Sequence, residues 1–147
     1  MRNGVTAALL IFSLFIFDAC TKNGKLISGN RGKYNLVVTL YDKDIDDPAN
    51  DRRSYYEVSV DKSEFGRTTI GLESQKKVFE ASLTPDRHLV KVEKWILDES
   101  LGRYIKLNNL YQPKPNFIYV NIEEGKTSRV TVESTKYGTS VYKVTKE

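Results

Sequence analysis

One cysteine, one histidine, one methionine, one tryptophan and four prolines occur in 147 residues. A lone Cys excludes a disulfide framework. With a lone His it also excludes a Cys/His zinc site and any chemistry needing two histidines. No G-x-S-x-G or similar nucleophile signature is present. No apolar run reaches the roughly 20 residues of a bilayer-spanning helix, and nothing repeats at solenoid periods. The length accommodates one ordinary domain at most. Nine Tyr and six Phe argue against a disordered polar chain. Lys and Arg number 23 against 19 Asp and Glu, a net charge of +4, with a pI near 9.1 and a mean hydropathy of −0.46.

The N-terminus stands apart. Arg2 is followed by a charge-free run from Val5 to Phe17, the length of a secretory h-region and too short to span a bilayer. The only Cys, Cys20, lies just past this run behind the small residue Ala19. A plain secretory signal with an incidental Cys is one reading. The other is lipidation: Phe17-Asp18-Ala19-Cys20 resembles a bacterial lipobox, of the relaxed kind found in spirochaetes. Phe17 stands where Leu is usual, and Asp18 where a small or hydroxylated residue is more common. The resemblance implies a signal peptide over 1–19 and acyl chains, palmitate among them, on the Cys20 thiol. Residues 20–33, with Gly24, Gly29 and Gly32 and no acidic residue, read as a flexible leash. Thr21, rather than Asp, follows the Cys; by resemblance to proteobacterial lipoproteins this favours the outer membrane.

From residue 34 onward apolar residues alternate with period two. Tyr34, Leu36, Val38 and Leu40 share a face; so do Tyr56, Val58 and Val60; so do Phe79, Ala81 and Leu83; so do Val90, Val92 and Ile96. Further strands are expected at 68–72, 103–110, 117–122, 129–133 and 140–145. Thr84-Pro85-Asp86-Arg87 reads as a turn, and Glu123-Glu124-Gly125-Lys126 as a hairpin turn. A helix over 74–83 is the one competitor, which Pro85 would end promptly. The expected fold is all-β, one antiparallel sandwich of about eight strands over residues 34–147.

Two segments carry a further resemblance. Leu83-Thr-Pro-Asp-Arg-His-Leu-Val-Lys-Val92 is similar to the core motif of PEGA and carboxypeptidase-regulatory-like domains. The stretch 117–132 is similar to their closing hairpin. Asp86 stands where that motif carries Gly. The resemblance implies a small prealbumin-like sandwich that binds, spaces or presents without catalysis, and it makes His88 part of a structural turn.

Five Asp fall within 42–51. Asp42, Asp44 and Asp46 could converge oxygens on Ca²⁺. An EF-hand loop, however, would place Gly and Glu where the chain has Asp47 and Arg53, and Lys43, Arg52 and Arg53 neutralise part of the cluster. A solvated inter-strand loop is the competing reading. His88 has no evident catalytic partner, so no catalytic residue is assigned. Trp95, Tyr104 and Tyr111 are candidate binding residues for a sugar or a partner protein, because rigid rings supply contact area at little entropic cost; a half-buried structural role competes. Lys76, Lys77, Arg87, Lys91, Lys94, Arg103 and Lys106, with Lys136, Lys143 and Lys146 in the tail, read as a basic surface suited to an anionic envelope glycan. Nucleic acid is not an expected partner of an exported chain. The functional expectation is a lipid-anchored envelope protein with a non-catalytic binding or presentation module. The alternative is a periplasm-facing accessory subunit of an envelope complex.

Overall fold

The computed structural model describes residues 34–135 and 137–147. The signal segment, Cys20, the leash and Lys136 lie outside the described residues. Ten strands are present: β1 (Leu36–Asp42), β2 (Arg53–Val60), β3 (Ser63–Arg67), β4 (Gly71–Leu72), β5 (Lys77–Ala81), β6 (Arg87–Asp98), β7 (Arg103–Lys106), β8 (Phe117–Asn121), β9 (Ser128–Ser134) and β10 (Ser140–Lys146). A single 3-10 turn at Pro48–Asn50 is the only helical element among the described residues.

The strands form two sheets. One runs β10-β9-β1-β5; the other runs β3-β2-β6-β7, with β4 also on β2 and β8 also on β6. The alternation expected from the sequence is the alternation observed. Leu36, Val38 and Leu40 from β1 meet Tyr56 and Val58 from β2, Val90 and Val92 from β6, Val120 from β8, and Val130 and Val132 from β9 in one buried core. At roughly 25 cal/mol per Å² of apolar surface, such a layer supplies the main driving force for folding. The all-β sandwich is therefore the fold of this chain.

The strand expected around Phe79 and Ala81 forms, Lys77–Ala81 pairing antiparallel with β1, and the competing helix over 74–83 does not. Four local expectations change. Tyr34, expected on the face of Leu36, Val38 and Leu40, precedes β1 and is 53% exposed. The strand expected over 103–110 stops at Lys106. The segment 63–67, without clear alternation, forms β3 through the tight turn Asp61-Lys62, both at positive φ (51° and 68°). The turn at 123–126 is not a hairpin turn. It carries the chain across the sandwich, since β8 pairs with β6 in one sheet whereas β9 lies parallel to β1 in the other.

A candidate binding face and a buried charge cluster

The outer face of the six-stranded sheet carries a ring cluster. β2 and β6 pair so that Tyr55 stands opposite Trp95, and β6 and β7 pair so that Leu97 stands opposite Tyr104. Tyr55 and Trp95 stack 5° from parallel with centroids 6.0 Å apart. Tyr104 meets Tyr55 edge-on at 5.0 Å, and the Arg67 guanidinium lies 5.7 Å from the Tyr55 ring centre. Offset-stacked and edge-on pairs of this kind each contribute about 0.5–1.5 kcal/mol beyond their area burial. Burial, with the carboxylate of Glu57 adding to it, raises the Tyr55 hydroxyl above its ordinary pKa. The Trp95 indole N–H is buried without a hydrogen-bond partner among the described residues.

A second aromatic group lies along the same face. Phe117 stands opposite Lys91 and Tyr119 opposite Leu89. The two rings meet edge-on at 6.4 Å, and the Arg87 guanidinium sits 4.4 Å from the Tyr119 ring centre. Trp95 and Lys91 are four residue steps apart along β6, so the two groups are about 13 Å apart. Between them Glu93 accepts from Lys91 and Lys106, each at 2.7 Å. Those two hydrogen bonds, Lys106 first, hold its carboxyl below the ordinary range. Trp95 and Tyr104, named from the sequence, are thus brought together. Tyr111 is not: it sits 51% exposed on the loop after β7, with no ring contact to this cluster. Tyr55 was absent from the sequence expectation because only strand pairing places it opposite Trp95.

The acidic segment after Asp42 is a solvated loop between β1 and β2, as one sequence reading expected, but Asp42 itself is not part of it. Asp42 is buried, ion-paired with Lys94 and hydrogen-bonded at 2.7 Å by the Tyr56 hydroxyl. Asp47 caps the 3-10 turn through Ala49 N at 2.9 Å. Asp51 accepts from Ser74 Oγ at 2.6 Å. Asp44 and Asp46 are exposed. Among the described residues no group of three or more His, Cys, Asp or Glu is arranged to hold a metal ion.

Lys77 and Lys94 do not belong to a basic surface, being 0% and 4% exposed. The Lys94 amine also meets Glu73 Oε1 at 2.7 Å. Glu73 is gripped in turn by Arg52, Nε to Oε2 at 3.1 Å and Nη2 to Oε1 at 3.2 Å. Burial opposes ionisation of Glu73, but Arg52 and Lys94 outweigh it and keep its carboxyl below the usual range. The Lys77 amine donates to the carbonyls of Leu72, Glu73 and Gln75 at 2.6, 3.1 and 2.9 Å. Burial pushes its pKa down to about 8. The Tyr56 hydroxyl is pushed well up, by burial first and the Asp42 carboxylate second. A cleft of about 330 Å³, lined among others by Asp42, Asp46, Asn50, Arg52 and Glu73, opens beside this cluster. The signal for Lys94 was its parity, since it falls on the same face as Val90, Val92 and Ile96.

His88 is a clamp. Its Nδ1 faces Asp61 Oδ2 at 2.7 Å and its Nε2 faces the Thr84 carbonyl at 2.8 Å. Two acceptors require two donors, which only the imidazolium supplies. Burial opposes the charge, but Thr84 and Asp61 outweigh it and raise the pKa above 6.5. A raised folded-state pKa contributes stability that is complete below the unfolded value and is lost as pH rises through the folded one. The stability difference between the parent chain and His88→Gln is therefore expected to shrink from pH 5.5 to pH 8.5, measured by urea unfolding.

No protein family, no curated protein and no solved structure matches this chain.

Proposed function

We propose that this chain is a lipid-anchored protein of the bacterial envelope, with the outer membrane as the favoured site. Its β-sandwich acts there as a non-catalytic binding module. The ligand that best suits the binding face is an anionic envelope glycan. The observation carrying this reading is the paired aromatic platform, Tyr55–Trp95–Tyr104 and Phe117–Tyr119, about 13 Å apart on one sheet face. Extended polysaccharide offers apolar sugar faces to rings and anionic groups to cations. Arg67 and Arg87 lie over two of these rings, and Lys106 and Lys91 are the cross-strand partners of Trp95 and Phe117, each paired with Glu93.

Detergent-solubilised full chain is expected to co-sediment with purified peptidoglycan sacculi or to retain lipopolysaccharide. Trp95→Ala is expected to weaken that binding by about 30-fold, the scale of a hot-spot residue worth about 2 kcal/mol. Tyr111→Ala, off the platform, is expected to leave it unchanged. Equal binding by parent and Trp95→Ala would dismiss the platform. A second reading, the accessory subunit, draws on edge strand β10, where Val141 and Val144 are 47% and 42% exposed. Open strand edges are templates for pairing with another chain. Added protease on intact cells separates a surface-displayed molecule, which is clipped, from one facing the periplasm.

A further inference from the structure

Three reactive groups meet between the sheets beneath the acidic loop. Asp42 ends β1 in one sheet, Lys94 lies within β6 in the other, and Glu73 follows β4. The Lys94 amine contacts the Asp42 carboxylate directly and lies 2.7 Å from Glu73 Oε1. The three side chains are at most 5% exposed. We propose that Lys94 Nζ and Asp42 Cγ condense to an amide, a self-made covalent cross-link between the two sheets, with Glu73 as the proton carrier.

A buried ion pair seldom repays the desolvation of its charges, and no surface function uses this one. The same arrangement meets the requirements of a condensation. The amine rests against the carboxyl group it would attack, and all three side chains are almost fully shielded from bulk water. Intramolecular positioning of this kind corresponds to effective molarities of about 10⁵–10⁸ M, which offsets the cost of driving amide formation in a protein surrounded by water. Lys77 is the internal contrast. It is equally buried, but its amine is committed to three backbone carbonyls, so it stays free.

The step balances without any co-reactant. The Lys94 ammonium passes one proton to the Asp42 carboxylate, leaving a neutral amine beside a neutral acid. The nitrogen lone pair attacks Cγ to form the new C–N bond. Negative charge then falls on Oδ1, which receives the Tyr56 hydroxyl hydrogen at 2.7 Å, a donor kept protonated by its burial and placed to stabilise that charge. Glu73, ionised by its grip on Arg52, takes a proton from the nitrogen and delivers it to the departing hydroxyl. The C–O bond breaks, water leaves, and Glu73 is a carboxylate again. The cleft of about 330 Å³ lined by both Asp42 and Glu73 provides the exit. A neutral amide replaces two buried charges.

Tryptic digestion of the denatured full chain reads the bond directly. Trypsin cuts after unmodified Lys and Arg, so a linked protein is expected to release a branched species containing residues 34–43 and 92–103. It would be lighter by one water than the two peptides together, uncut after Lys94, with cleavage after Lys77 unaffected. Glu73→Gln is expected to slow formation by about 10²–10⁴-fold, the scale of general acid–base catalysis, so freshly made variant yields the linear peptides. Linear 34–43 with full cleavage after Lys94 in the parent chain would overturn the proposal. That digest decides it even if Glu73→Gln fails to fold. Undiminished branching in a folded Glu73→Gln would overturn the part given to Glu73.

Discussion

Asp42→Ala is expected to remove most of the conformational stability of this chain. Two separate losses combine. Without Asp42 the interior holds two ammonium groups, Lys77 and Lys94, against the single carboxylate of Glu73. The Tyr56 hydroxyl also loses its acceptor. Breaking a buried pair in this way costs about 3–5 kcal/mol, because the remaining charge is left uncompensated. The second loss is the proposed cross-link, which ties positions 52 residues apart in sequence. By the chain-entropy relation, closing a loop of that length contributes about 4 kcal/mol. Domains of this size hold only about 5–15 kcal/mol in total, so the variant sits at the margin of folding.

The double variant Asp42→Ala with Lys94→Met separates the two losses. It leaves no stranded Lys94 charge, while Glu73 keeps its two-point contact with Arg52. It is expected to regain the part of the first loss that belongs to the stranded charge, and not the loss of the Tyr56 acceptor or of the cross-link. Urea midpoints of the parent, the single and the double variant provide the measurement. A single-variant loss below about 1 kcal/mol would mean that Lys94 finds water or another partner and that no bond was present.

Cys20→Ser is expected to shift the protein from the detergent phase to the aqueous phase on phase partition. Each buried methylene contributes about 0.8 kcal/mol, and one myristoyl-length chain anchors only marginally. Two or three acyl chains on one residue make release negligible. A serine hydroxyl could not take the place of the thiol in the proposed alkylation. Among the described residues no helix is long and apolar enough to cross a membrane. The mass of the mature N-terminal peptide checks the same point independently, since it is expected to begin at Cys20 with acyl groups attached. Retention of Cys20→Ser in the detergent phase would mean that something other than the thiol holds the chain.

Much of the architecture was readable from alternation because a half-buried strand places every second residue in the core. Leu36, Val38 and Leu40, or Val90, Val92 and Ile96, announce that period without any knowledge of their partners. The same rule extended one step further would have placed Asp42 and Lys94 inside, since each continues an apolar row. Charge hid them. A charged residue on a core-facing position reads as surface until its counter-charge is known, and here each counter-charge lies on the other sheet. The binding face shows the same limit. Trp95 and Tyr104 were visible as rings, but Tyr55 joins them only through the β2–β6 register, and Tyr111 drops out because its strand ends early.

The sequence by itself determined an all-β sandwich, its core positions, and the expectation of a lipid tether at the only thiol. Periodicity and residue chemistry are local properties that survive without coordinates. Tertiary structure alone decided that the turn at 123–126 changes sheets, that the aromatic rings gather on one face, and that Asp42, Glu73 and Lys94 converge in the interior. Those outcomes depend on which strands pair, and a Gly-containing turn or an isolated lysine carries the same local signal whichever partner the fold assigns it.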